Sequence, residues 1–274
     1  MAITASQVNE LRKKTGAGMM DCKKALVEAD GDMEQAVDLL RKKGQKVAAK
    51  RGDNEAKEGV IFAESKGSTG YILQLNCETD FVAKNEDFRN FVQSLLNVAI
   101  DKDVDSVEDL KSAAYDEKLS VEEKLTEQIG VIGEKLDLSG FGKIAAESVV
   151  AYNHPGNQIA ALVGLNKTGD EVEEAGRQVA MQVAAMNPVA LNKDEVDQDT
   201  IDHEIQVGKD QAIEEGKPED LAEKIAQGRL NKFFKENTLL SQAFVRDNKK
   251  NVQQFLEETT SGLTVTAFKR FSLS

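Results

Sequence analysis

"GVIFAESKGSTGYILQLNCETDFVAKNEDFRNFVQSLLNVA", residues 59–99, reads as strand, hairpin, strand, loop and helix. The same order returns in "ESVVAYNHPGNQIAALVGLNKTGDEVEEAGRQVAMQVAAMN", residues 147–187. A single offset of 88 residues places Ile61 on Val149, Ala63 on Ala151, Tyr71 on Ile159 and Leu75 on Val163. It also places Phe91, Val92, Leu95 and Leu96 on Val179, Ala180, Val183 and Ala184. Strand and helix positions agree in apolar phase, which marks a duplicated α+β unit with antiparallel sheets. Two copies are too few for a solenoid.

The offset isolates one anomaly. Asp80 and Phe81, in the loop between the second strand and the helix, fall on Thr168 and Gly169, an ordinary turn dipeptide. The second copy closes this loop without an acid or an aromatic. The Asp-Phe pair is therefore read as functional, with Phe81 an exposed aromatic of the kind that anchors interfaces, in preference to the alternative that Phe81 tucks back over the sheet while Asp80 caps the next helix.

Ahead of the repeat, residues 4–44 read as three short helices forming a minimal bundle. Thr4 and Gln7 make a capping box, "TGAG" (15–18) breaks the first helix, Asp32 with Gln35 caps the third, and Gly44 is expected to stop it. Cys22, Ala25, Leu26 and Ala29 share one face of the second helix, and Met33, Ala36, Val37 and Leu40 share one of the third. The charged segment 45–58 reads as a linker, partly helical at most. After the repeat, Ile201, Ile205, Ala212 and Ile213, then Leu221 and Ile225, suggest an antiparallel coiled-coil hairpin protruding at 187–228. "NKKNVQQFLEET" reads as a helix, and "GLTVTAFKRFSL" as a closing strand that joins the sheet of the second repeat. The expected domains are 1–54 (helical), 55–140 (first half of the core), 141–186 with 229–274 (second half), and 187–228 (inserted hairpin).

Composition narrows the function. The chain has 274 residues and a net charge of −13. Its first 58 residues hold 12 Lys/Arg against 10 Asp/Glu, so the acidity lies beyond them. That distribution gives no footprint for nucleic acid and points to protein partners. No apolar run is long enough to span a bilayer, and the N-terminus reads as a capped helix rather than a signal peptide, so a cytoplasmic protein is expected. Cys22 and Cys77 stand in apolar contexts without a CxxC partner and read as reduced packing residues. No dinucleotide, P-loop, zincin or nucleophile-elbow motif occurs, and there are only 2 histidines. Acidic pairs such as Glu122-Glu123 and Glu173-Glu174 lie on helix patterns as solvated faces. Neither a cofactor, a metal nor a catalytic residue is expected.

Beside the Asp-Phe loop, Met19 and Met20 follow two glycines. Two consecutive side chains cannot both face inward, and methionine suits adaptable contacts. "AYNHPGN", carrying His154, is a tight turn for which a plain structural role is as well supported as a binding one.

"ELRKKTGAGMMDCKKAL" (10–26) followed by "NCETDFVAKN" (76–85) closely resembles the elongation factor Ts family of bacteria and organelles, and the resemblance covers essentially the whole chain. It implies an exchange factor that catalyses GDP release from elongation factor Tu, with an N-terminal bundle similar to ubiquitin-associated domains. It further implies that Thr79, Asp80, Phe81 and Val82 form the loop that enters the GTPase near the nucleotide's Mg²⁺. Arg12, Met19 and Met20 stand where members touch a helix of the GTPase domain. Ile132, Gly133 and His154 fall where the second half of the core reaches another domain. "VIGEKLDLSGFGK" departs from the family pattern, and the helical C-terminal module of some members is not expected after "FKRFSLS". A homodimer through the hairpin is compatible with this picture. A scaffold protein is the rival reading, but a scaffold has no reason to place an Asp-Phe loop in only one repeat.

Overall fold

The computed structural model describes residues 3–273. They form two compact units. One joins the chain through Phe62 with Leu73–Gly142 and Leu273, and the other joins Ala63–Ile72 with Lys143–Ser272.

The first unit opens with α1 (Ala5–Thr15), α2 (Met19–Glu28) and α3 (Met33–Arg51). The Thr4 hydroxyl accepts the Gln7 N–H while the Gln7 side chain accepts the Thr4 N–H, closing the expected capping box. Leu11, Cys22, Leu26 and Ala36 are fully buried among the three helices, with Met33, Val37 and Leu40 packed against them.

Gly44 does not stop α3, which continues through the first half of the expected linker to Arg51. The glycine serves a close approach instead. α7 (Val121–Ile132) lies across α3, and a Cβ on Gly130 would fall 2.5 Å from the Gly44 Cα. One on Gly44 would fall 3.0 Å from the Thr126 carbonyl oxygen. A glycine inside a helix that lets another backbone approach looks, in sequence, the same as a terminating one.

β1 (Glu58–Lys66) and β2 (Thr69–Cys77) form the first hairpin, followed by a single turn of helix, α4 (Asp80–Ala83), and by α5 (Glu86–Lys102). α5 buries Phe91, Val92, Leu95 and Leu96 at the positions the repeat assigns. After α6 (Val107–Ser112) and α7, β3 (Leu136–Ala145) completes a sheet of order β1-β2-β3. Glu123 is more than a solvated acid, because its carboxylate accepts the Ser120 N–H at 2.8 Å and caps α7.

In the second unit β4 (Ser148–Asn153) pairs antiparallel with β5 (Ile159–Leu165), and α8 (Asp170–Met186) covers them. The last strand, β8 (Val265–Ser272), pairs antiparallel with β5, giving the order β4-β5-β8. Val163, Leu165, Val179, Val183, Leu256 and Val265 belong to one buried cluster. Each copy of the repeat thus carries its hairpin, its helix and a third strand next to the second.

Between α8 and β8 the chain passes a 3₁₀ turn (Lys193–Glu195) and then α9 (Gln198–Glu214) and α10 (Glu219–Asn237), which pack on each other. The expected seam holds in part, with Ala212 buried and Ile201, Ile205 and Ile225 half-buried. Ile213 and Leu221 are exposed, while Gly208, Ala212, Ala222, Ala226 and Leu230 are buried. A Cβ on Gly208 would fall 3.1 Å from the Ala226 Cα, so small residues let these helices approach more closely than isoleucines would. Backbone bonds from Val189 to Asn237 and from Leu239 to Ala190, both 2.9 Å, tie the start of the excursion to its end. The "NKKN" expected to begin a helix is instead β7 (Asp247–Asn251), paired with β6 (Ala243–Phe244). Asn251 then caps α11 (Val252–Thr259), its side chain accepting the Gln254 N–H at 2.8 Å.

The Gly44–Gly130 contact sets two effects against each other. Helix propensity alone favours Gly130→Ala by about 1 kcal/mol, whereas forcing a methyl into a packed contact costs about 1–3 kcal/mol. Gly130→Ala should therefore lower the urea unfolding midpoint and Gly130→Val lower it further. A rise for the alanine variant would show that α3 and α7 are not in backbone contact.

Candidate partner-docking site

The loop after β2 exposes its aromatic. Phe81 is 84% accessible, the highest among the exposed large hydrophobic residues that the structure describes. Its position therefore comes from the backbone beneath it. Thr79 is the N-cap of α4, its hydroxyl oxygen accepting the Val82 N–H at 3.4 Å. Asp80 and Phe81 are the first two residues of that turn, and Val82 is half-buried behind them. Asp80 pairs with Lys84 one turn on, at 2.6 Å, and the Lys84 ammonium holds the carboxyl below the usual aspartate range. Asp80 therefore presents a negative charge at neutral pH.

Two carboxylates grip the base of the loop. Glu134, directly after Gly133, accepts the Glu78 and Thr79 N–H groups, each at 3.1 Å, on one oxygen and the Thr79 hydroxyl at 2.7 Å on the other. Glu78 reciprocates by accepting the Lys135 N–H at 2.6 Å. It also binds the Arg51 guanidinium at 2.8 and 3.0 Å and the Asn54 side-chain amide at 3.0 Å. The Lys135 ammonium closes the ring by donating to the Gly52 and Asn54 carbonyls at 2.8 and 2.9 Å. The end of α3, the loop base and the lead into β3 are thereby one polar knot. Cys77 adds a thiol donor to the Thr79 carbonyl at 3.2 Å. Burial, with the negative charges of Glu134 and Glu58, pushes that thiol up to about 12, so it stays protonated.

Met19 and Met20, 56% and 64% accessible, face solvent at the start of α2. The preceding bend sets them there. The Thr15 hydroxyl donates to the Leu11 carbonyl at 2.8 Å and accepts the Ala17 N–H at 3.3 Å, while Cys22 anchors the helix inward. Arg12 is exposed on the last turn of α1. Ile132 ends α7 and Gly133, at φ 80°, turns the chain so that Glu134 meets the loop base. The structure therefore brings Gly133 to the Asp-Phe loop. His154 belongs to the second unit, exposed in the β4–β5 turn, with its Nδ1 3.0 Å from the Tyr152 hydroxyl. Glu78 and Glu134 are the residues that sequence reasoning missed. Among the described residues no three His, Cys, Asp or Glu side chains gather to hold a metal, and no helix is long and apolar enough to cross a membrane.

The family model described as "Elongation factor TS" matches residues 78–274. Elongation factor Ts of Christiangramia forsetii is 54% identical over 273 residues, covering 99% of this chain and 98% of that protein. The protein of the same name from Amoebophilus asiaticus is 51% identical over 273 residues, covering 98% of each. That from Porphyromonas gingivalis is 46% identical over 274 residues, covering 100% of this chain and 99% of its own. A duplicated α+β core with this likeness along its whole length is a translation elongation factor. The chain belongs to the elongation factor Ts family.

The knot carries a pH signature. Burial alone would raise the Glu78 pKa, but the Lys135 N–H, the Asn54 amide and the Arg51 guanidinium together hold it below the usual glutamate range. A lowered folded-state pKa gives stability that is complete above the unfolded value, about 4.3, and is lost as pH falls through the folded one. The stability gap between wild type and Glu78→Gln in urea titrations should be full at pH 7 and shrink below about pH 4. A gap unchanged in acid would show that Glu78 is not held as a carboxylate.

Proposed function

We propose that this protein acts in the cytoplasm as a guanine nucleotide exchange factor, promoting GDP release from elongation factor Tu during translation elongation. The observation that carries the reading is the exposed Phe81 on a loop whose base is fixed by charged hydrogen bonds. An aromatic left in water is costly unless a partner covers it, and a rigid base lets it enter that partner without reorganising first. In this reading Arg12, Met19 and Met20 dock on the GTPase domain, and Thr79–Val82 enter beside the nucleotide. Ile132, Gly133 and His154 meet another domain of the partner, with Gly133 also leading into the Glu134 that holds the loop base.

The chemistry follows from charge and packing. Mg²⁺ demands near-ideal octahedral geometry, so small displacements of its surroundings weaken it sharply. A Phe ring wedged between packed side chains produces such displacements, because packed interiors switch rather than deform smoothly. The Asp80 carboxylate adds negative charge beside a bound polyanion. Linkage does the rest: by whatever factor the protein weakens GDP, GDP weakens the protein.

Phe81→Ala separates an interface wedge from a core residue. The exposed ring predicts an unchanged melting temperature, whereas truncating a buried Phe would cost about 3–5 kcal/mol. Loss of an interface anchor of roughly 2 kcal/mol should slow release of fluorescent GDP at subsaturating factor about thirtyfold. A variant that exchanges normally would remove the loop from the mechanism.

A further inference from the structure

We infer that Glu134 is the positioning residue of the exchange loop, acting through the Thr79 hydroxyl. The inference rests on the proposed exchange function and names the group that aims its wedge. Phe81 is largely exposed, so the direction of its ring depends chiefly on the α4 turn that carries it. That turn is capped by the Thr79 oxygen, whose lone pairs face the Val82 N–H while its proton is donated to Glu134. A carboxylate can only accept, so it fixes the rotor in the orientation that caps α4. The two N–H bonds to the second Glu134 oxygen fix the backbone on which that rotor stands.

The second repeat supplies an internal control. Under the 88-residue offset Glu78 and Thr79 fall on Asn166 and Lys167. Asn166 also clasps the segment entering its third strand, accepting the Thr264 N–H at 2.8 Å and donating to the Gly262 carbonyl at 2.9 Å. A clasp between this loop and the lead into the third strand is thus part of the architecture in both copies. There the Asn166 amide makes it together with the Lys167 ammonium, which donates to the Ser261 carbonyl. What the first copy adds is a capping hydroxyl at 79, a carboxylate from 134 to orient it, and an aromatic at 81. All three additions fall in the copy that carries the Asp-Phe pair, so they are read as one device.

The test is the rate of fluorescent GDP release from elongation factor Tu against concentration of the full-length protein. Glu134→Ala should lower the maximal rate about tenfold, the equivalent of one hydrogen bond to a charged group, and leave the half-saturating concentration within about twofold, because the Met19–Met20 face is untouched. Thr79→Val should do the same, and the double variant should be little worse than either, since both remove one device. Thr79→Ser, which keeps the hydroxyl, should restore the wild-type rate. Additive losses, or a Thr79→Ser variant as slow as Thr79→Val, would overturn the positioning role. So would a Glu134→Ala variant that melts lower yet exchanges at the wild-type rate while folded. Stimulation that needs Phe81 but ignores Glu134 defeats this inference alone, whereas no stimulation by the wild type defeats the exchange reading and this one together.

Discussion

The reciprocal exchange between Glu78 and Glu134 is the constraint that gives the first unit its working geometry. Each carboxylate accepts backbone N–H groups from the other's strand-end, Glu78 from Lys135 and Glu134 from Glu78 and Thr79. Hydrogen bonds to ionised acceptors are shorter and stronger than neutral ones, and one guanidinium nitrogen reaching both carboxylate oxygens adds direction. Arg51 supplies that direction from the last turn of α3, so the helical region and the loop share one anchor. The Gly44–Gly130 contact works with it. It brings α3 against α7, and α7 leads through Gly133 into Glu134. Helix packing and the polar knot therefore fix the same loop from two sides.

The duplicated core was legible because apolar phase survives duplication even where residue identity does not. Leu95 and Val183, or Phe91 and Val179, share little but burial, and burial is what the offset detects. The exposure of Phe81 was legible for the opposite reason, as a large aromatic where the second copy needs only Gly169. Three features were not legible. Gly44 carries no local sign that distinguishes close approach from helix termination. The α9–α10 seam adds Gly208, Ala222 and Ala226 to the expected Ala212, small residues that hydrophobic periodicity undervalues, and leaves Ile213 and Leu221 exposed. Glu134 meets Thr79 across 55 residues, and one acid in a chain rich in acids announces no partner.

The two halves show how one architecture becomes a plain connector in one copy and a tool in the other. In the second unit Gly169, at φ 129°, opens α8 directly and the loop exposes no wedge. In the first, a one-turn helix stands between strand and helix and lifts Phe81 into solvent. In the proposed exchange mechanism no bond is made or broken by this chain. Its contribution is a preorganised shape whose binding competes with that of GDP.

Reciprocity gives the most direct test of that claim. The affinity of this protein for elongation factor Tu is measured by calorimetry with the GTPase nucleotide-free and again saturated with GDP and Mg²⁺. Binding should be at least about tenfold weaker to the GDP form, with the same ratio recovered when GDP affinity is measured with and without this protein. Equal affinity for the nucleotide-free and GDP-bound forms would contradict it.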